Sequence, residues 1–250
     1  MLKTLKEYFV EWWIIIARPI LFYTKLKEES WQEKSLTFFI YSSWLLALFA
    51  SLAIFIIQFL PIGSTLVAGI VGWKFVIILP VLLTMAFAFF MITFLIVGGL
   101  LVLTFGAGFI ALAFILHYIY KVLGGHGHVN RMIQSLLYST AVVLFLCLPA
   151  LLAIMTRYNL LERSLFKVGF NIVFVFLTVY VYGLWAVAGR KAYGIPRWKA
   201  FAGALVPVAL MLIFLFIFDK IKASEKSDLL APSNLQLLRH SNQLTLRLCR

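Results

Sequence analysis

FVIILPVLLTMAFAFFMITFLIVGGLLVLTFGAGFIALAFILHYIY, residues 75–120, holds no Asp, Glu, Lys or Arg. At ~1.5 Å per residue a helix of this length reaches roughly 68 Å, against a bilayer hydrocarbon core of ~30 Å. One straight crossing does not use that length, and Gly98-Gly99 near the middle predicts a turn between spans at 75–97 and 100–120. The same poverty of charge extends outward. Between Glu33 and Asp219 the only acidic residue is Glu162. A chain with such runs satisfies its backbone internally, as membrane-spanning helices. The missing carboxylates also weigh against proton relays and cation pathways, which place ionisable residues inside the bilayer.

Composition agrees. Of 250 residues, 64% are hydrophobic and 12% charged, where soluble domains carry about 25% charged residues. The formal charge of +13 comes from 22 Lys and Arg against 9 acids. Cations at span ends facing anionic headgroups account for that excess without nucleic acid as a partner. Cys147 lies in a span and Cys249 near the C-terminus, with neither a disulfide framework nor metal-ligand spacing. The first residues do not read as a cleavable signal peptide, because Glu11, Arg18 and Pro19 interrupt the apolar stretch.

Further apolar runs cover residues 36–60, 133–155, 168–188 and 201–218. The expected fold is an all-α, polytopic transmembrane helix bundle of six spans, or five if 75–120 is one broken crossing. Residues 1–34 read as an amphipathic interfacial segment, with Trp12, Trp13, Phe22, Tyr23 and Trp31 interleaved with Lys6, Arg18, Lys25 and Lys27. Pro19 should break it into two short helices on the membrane. The transmembrane domain is 35–218, and 219–250 forms a basic polar tail, disordered or surface-associated. Counting Lys and Arg near span ends places the N-terminus in the cytoplasm by ten to seven under either span number.

Two connections carry most of the distinctive polar chemistry. In 121–131, KVLGGHGHVNR, three glycines in four residues predict a tight turn. His126 and His128, with His117 upstream, bring nitrogen ligands toward one region. No carboxylate or free Cys stands nearby, so a metal site is not assigned. In 189–199, GRKAYGIPRWK, the cations Arg190, Lys191, Arg197 and Lys199 accompany Tyr193 and Trp198, as in a headgroup-anchoring turn. Gln58, Thr84, Thr93, Thr104 and Asn171 are candidates for interhelical hydrogen bonds, and Gly106, Gly108 and Gly203 for close helix packing. No catalytic set, nucleotide loop or cofactor motif is present.

These features resemble the Yip family, the Ypt/Rab-interacting multi-pass membrane proteins and their prokaryotic relatives. Arg18-Pro19-Ile-Leu-Phe-Tyr23 is similar to the family's Pro-x-x-Phe-Phe/Tyr segment, and Gly124-Gly125-His-Gly after His117 to its Gly-Gly-x-Gly. Tyr138-Ser-Thr-Ala141 leading to Pro149 resembles Tyr-Ser-x-Ala-Pro and the following Ile-Pro, with Val142 where the family often has a kinking proline. A terminal pair of spans joined by the basic loop Gly189–Lys199 completes the match over residues 16–218. The resemblance implies five spans and a non-enzymatic role in organising membrane or contacting a protein partner. The short stretch 1–34 before the first span fits a prokaryotic-type relative in the cytoplasmic (inner) membrane.

The expected function is therefore membrane organisation or partner binding, with no catalytic, cofactor or metal residues. Arg18, Pro19, Gly124, Gly125, Arg131, Arg190, Lys191, Arg197 and Lys199 are the candidate lipid- or partner-binding residues. Anionic headgroups are the expected lipid partners, alongside a protein partner or self-association. The alternative is a transporter, channel or lipid-translocating protein for a neutral or lipid substrate, motivated by helices interrupted at Pro80, Gly98-Gly99, Gly106 and Pro149. A membrane-bound metalloenzyme using His117, His126 and His128 is a third, weaker reading.

Overall fold

A computed structural model of the chain describes residues 5–26, 31, 33–68, 73–213 and 216–217. All regular structure among them is helical. Helices α1 (Leu5–Ala17) and α2 (Pro19–Lys25) precede α3 (Lys34–Ile54), which continues through a π-helical turn, Phe55–Phe59, into α4 (Leu60–Ala68). Helix α5 (Trp73–Val122) follows, then α6 (Val129–Ser139), a 3-10 stretch Thr140–Leu146, α7 (Cys147–Arg157) and α8 (Arg163–Tyr193). Residues 197–213 are again helical. The chain divides into two compact units, Met1–Leu205 and Val206–Arg250.

Four stretches among the described residues are long and apolar enough to cross a bilayer: Lys34–Thr65, Val76–Val122, Val129–Arg157 and Arg163–Tyr193. The run 201–218 is helical as far as its described part goes, and the tail 219–250 lies outside the described residues. The six-span count needed a turn at Gly98-Gly99. Instead α5 is one continuous helix of 50 residues, passing through Pro80, Gly98, Gly99 and Gly106. Helix α5 is thus unbroken at Pro80, Gly98-Gly99 and Gly106, three of the four interruptions that motivated the transport reading.

The physical reason is packing. Gly costs about 1 kcal/mol against Ala within a helix, too little to end one. Gly98 is where the indole of Trp44 on α3 lies against α5, and a Cβ there would stand 2.5 Å from the ring. Gly106, two turns on, faces the Phe39 ring at 3.5 Å, whereas Gly99 and Gly108 meet open space. Helix α3 also buries the small residues Ser35, Ser42, Ser43, Ala47 and Ser51, distributed over its several packed faces. Small residues on both helices let backbones approach closely where lipid offers no hydrophobic drive for association.

The N-terminal segment breaks before Pro19 as expected, since α1 ends at Ala17 and α2 begins at Pro19. Its inner side docks on the bundle: Tyr8, Ile15 and Tyr23 are buried. The Tyr8 hydroxyl bonds with Ser42 Oγ at 2.9 Å, and the Tyr23 hydroxyl donates to the Ser135 carbonyl at 3.2 Å. Its outer side is apolar as well, with Leu5, Phe9, Val10, Trp13, Ile20 and Leu21 exposed.

Around Val142 helical regularity is lost without any proline: Thr140–Leu146 tightens to 3-10 geometry. The Ser139 and Thr140 hydroxyls donate to the carbonyls of Leu136 and Leu137, competing with the backbone ladder. Trp12 Nε1 donates to the Ala141 carbonyl within that stretch at 2.8 Å. Among the proposed polar links, Gln58 and Asn171 are exposed and Thr84 bonds the Pro80 carbonyl of its own helix. Tyrosine and tryptophan make most of the long-range polar links instead.

Two outcomes follow from this packing. Gly98→Ala should destabilise the protein by about 1–3 kcal/mol, because the added methyl overlaps the indole ring of Trp44. Gly99→Ala should be neutral or stabilising by up to about 1 kcal/mol; thermal melting in detergent separates the two. Glu11 provides the second. Burial raises its carboxyl above the usual carboxylate range, Lys34 partly opposing and Glu7 adding to the rise. Its Oε2 is buried and finds no donor among the described residues. A raised folded-state value favours the folded protein while the group is protonated, and that contribution fades as pH rises through the raised value. Stability should therefore fall from acid to neutral pH, and Glu11→Gln should flatten this slope and melt higher than wild type at neutral pH.

Candidate functional site

The two unusual connections sit together at one end of the first compact unit. Backbone N–H of His126 donates to the Tyr193 carbonyl at 3.3 Å, and Lys199 Nζ donates to the Leu123 carbonyl at 3.0 Å. The glycines make this contact possible. Gly124 has φ +89, and Gly194, which ends α8, has φ +67, conformations that glycine adopts without steric cost. A Cβ on Gly125 would stand 2.7 Å from Tyr193 Cβ, and one on Gly127 2.5 Å from the Ala192 carbonyl oxygen. The GGHG loop is shaped to receive the C-terminal turn of α8.

Tyr120, near the end of α5, is the centre of this arrangement. It is fully buried, and its ring fills a notch left by Gly189 of α8 and Gly203 of the following helical stretch. Its hydroxyl lies 3.2 Å from the Trp185 carbonyl and 3.3 Å from the Ala200 carbonyl. One turn earlier, His117 Nδ1 hydrogen-bonds to the Tyr193 hydroxyl. The Tyr120 and Tyr193 rings lie 5.4 Å apart. His117 is thus engaged by a phenol, and among the described residues no three metal-ligating side chains gather in one place.

The N-terminal segment reaches the same end. Pro19 and Ile20 of α2 line a cavity of about 270 Å³ with Tyr180, Leu184 and Val187 of α8. A cavity of about 240 Å³ next to it is lined by Ile20, Val187, Phe201 and the cations Arg190, Lys191 and Arg197. Arg18 and Pro19 also border a shallow hollow of about 510 Å³ with Thr24 and Lys25. The Tyr180 hydroxyl donates to the Ile16 carbonyl, fixing α8 to the end of α1.

Of the residues singled out in the sequence, Arg18, Pro19, Arg190, Lys191 and Arg197 therefore converge around α2 and the C-terminal turn of α8. Gly124, Gly125 and Lys199 form the adjoining loop, where Lys199 braces the turn and lies 5.7 Å from the Trp198 ring. Arg131 stands apart, in the first turn of α6, and lines none of these cavities. Sequence reading missed Tyr120 as an anchor. Its signal was indirect, in two glycines, Gly189 and Gly203, on segments with no turn of their own to explain them.

Long apolar helices joined by short polar connections define a multi-pass integral membrane protein. A family model, the Yip1 domain, matches residues 13–218. The chain belongs to the Yip1-domain family, as its Pro19, glycine-loop and Tyr138 motifs led one to expect. No curated protein and no solved structure matches it.

The notch around Tyr120 makes a graded prediction. Gly189→Ala drives a methyl into the buried ring and should cost about 1–3 kcal/mol. Tyr120→Phe keeps the ring and loses the hydroxyl bonds, for about 1 kcal/mol. Gly194→Ala has open space and only left-handed backbone strain, about 1–2 kcal/mol. Melting temperatures should rank Gly189→Ala lowest, with the other two between it and wild type.

Proposed function

We propose that this Yip1-domain protein is a non-enzymatic membrane organiser that engages anionic headgroups or a protein partner through one composite surface. The surface consists of α2 with Arg18 and Pro19, the glycine loop Gly124–His128, and the Gly189–Lys199 loop; Arg131, expected here from the sequence, lies outside it. Its carrying observation is the cavity where Ile20 of α2 meets Arg190, Lys191 and Arg197. Two segments far apart in sequence, α2 and residues 186–201, present apolar side chains and cations side by side, which suits a phosphate-bearing lipid or an acidic partner segment.

Topology supports the reading. The uninterrupted α5 puts the glycine loop and the 189–199 loop at the same end as α2, and a fifth crossing by 197–218 would give the family's five-span arrangement. The positive-inside rule then favours the cytoplasm for that end, and the membrane proposed is a prokaryotic-type inner membrane. The exposed apolar side of α1 and α2, with Phe9, Trp13 and Ile20, faces lipid at the interface.

Single cysteines at His126, Gly194 and Ser164, placed in a Cys-free background, test the topology in intact cells. The first two should be shielded from a membrane-impermeant reagent and the third labelled. Charge reversal at Arg190, Lys191 and Arg197, with Lys199 left to brace the loop, should lower enrichment of anionic lipid in native nanodiscs several-fold. Unchanged enrichment in a correctly inserted variant would remove lipid recognition from this surface.

A further inference from the structure

At the opposite end of α8 lies a second cationic cavity, of about 950 Å³, between the α7–α8 turn and the π-helical turn after α3. Arg157, from the last turn of α7, and Arg163 and Lys167, one helical turn apart at the start of α8, bring three cations to it, against the single carboxylate of Glu162. All three cations are solvent-exposed. Ile57 and Phe166 contribute apolar wall.

Two local irregularities build this cavity. The π-helical turn Phe55–Phe59 interrupts an otherwise α-helical crossing and contains Ile57. Such turns are rare and recur at functional sites. The Tyr158 hydroxyl donates to the Ile56 carbonyl inside that turn at 2.8 Å, tying the α7 end to it. Asn159, also in the lining, has φ 57, the left-handed region that asparagine tolerates, and it turns the chain out of α7. The depth is also defined. From Arg163 to Arg190 is ~40 Å along α8, close to the ~40–45 Å between the headgroup layers of a bilayer. The cavity therefore stands at headgroup level in the leaflet opposite the surface described above.

We propose that this cavity binds one anionic glycerophospholipid of that leaflet. Its phosphate would be held by Arg157, Arg163 and Lys167 near the positive N-terminal end of α8, and the upper part of an acyl chain would lie along Ile57 and Phe166. Three cations favour a headgroup carrying a phosphomonoester over a zwitterionic one. The apolar wall and the volume favour a lipid over free phosphate, which needs neither.

The test uses the delipidated full-length protein in detergent and native mass spectrometry with phosphatidic acid and phosphatidylcholine. Wild type should retain phosphatidic acid in preference. Arg157→Gln/Arg163→Gln/Lys167→Gln should weaken that retention about tenfold or more, and Lys167→Gln alone, at an exposed position, should weaken it measurably. Arg190→Gln/Lys191→Gln/Arg197→Gln should leave this component in place, so failure of the first surface and of this cavity are told apart. Three outcomes would overturn the proposal: equal retention of the two lipids, wild-type retention in a monodisperse, helical triple variant, or displacement of the lipid by millimolar inorganic phosphate.

Discussion

The burial of the Tyr120 ring between Gly189 and Gly203 is the contact on which the composite surface depends. It joins the end of α5 to α8 and to the helical stretch after the basic loop, and its hydroxyl reaches backbone carbonyls of both. With those segments fixed, Tyr193 is held where His117 and the glycine loop meet it, and Lys199 is held where it reaches the Leu123 carbonyl. A larger residue at either glycine would push α8 from α5 and separate the two loops. The positions of Arg190, Lys191 and Arg197 follow from a contact that none of them makes.

That contact suits its solvent. Lipid tails are as apolar as leucine, so burying apolar surface between helices gains little, and association relies on close packing and polar links. In this chain the close packing comes from glycine facing aromatic rings: Trp44 on Gly98, Phe39 on Gly106, Tyr120 on Gly189 and Gly203. The polar links come from phenol and indole groups, whose rings pack while their tips reach carbonyls, as with Tyr180 to Ile16 and Trp12 to Ala141. Such groups carry no formal charge, so no carboxylate is needed inside the membrane. The scarcity of acids in the sequence and the abundance of tyrosine links in the structure are two sides of one solution.

The membrane character, the break at Pro19 and the two notable loops were legible in the sequence because each rests on local signals: apolar length, an imino ring, clustered glycine and cations. The meeting of those loops was not, because His126 and Tyr193 are brought together by topology. Gly98-Gly99 was misread for a related reason. A glycine pair in an apolar run carries the same letters whether it turns the chain or admits a partner's ring, and only the position of Trp44 separates the two. The polar links were sought at Asn171 and Gln58, whose side chains have the capacity but are exposed, whereas Tyr8 and Tyr23 are buried and Tyr180 is half-buried.

Unequal helix lengths explain why the far end of the bundle is hollow. Tyr158 sets the end of α7 level with Ile56, and Phe55 and Phe59 pack against Phe89 of α5. Beyond Phe89, α5 continues for ~24 Å to Trp73. The α7–α8 connection turns back while the neighbouring pair of helices runs on, so an apolar wall rises beside a short polar turn. A 47-residue helical stretch such as Val76–Val122 would need a tilt of roughly 65° to fit a ~30 Å core, beyond the 0–40° that spanning helices adopt. The thickness of the membrane is therefore better read from α8, where no charge occurs between Lys167 and Arg190. By that ruler, the wall containing Ile57 and the cations of the α7–α8 turn meet where hydrocarbon gives way to headgroups. A molecule with an anionic head and an apolar chain matches both surfaces at that depth.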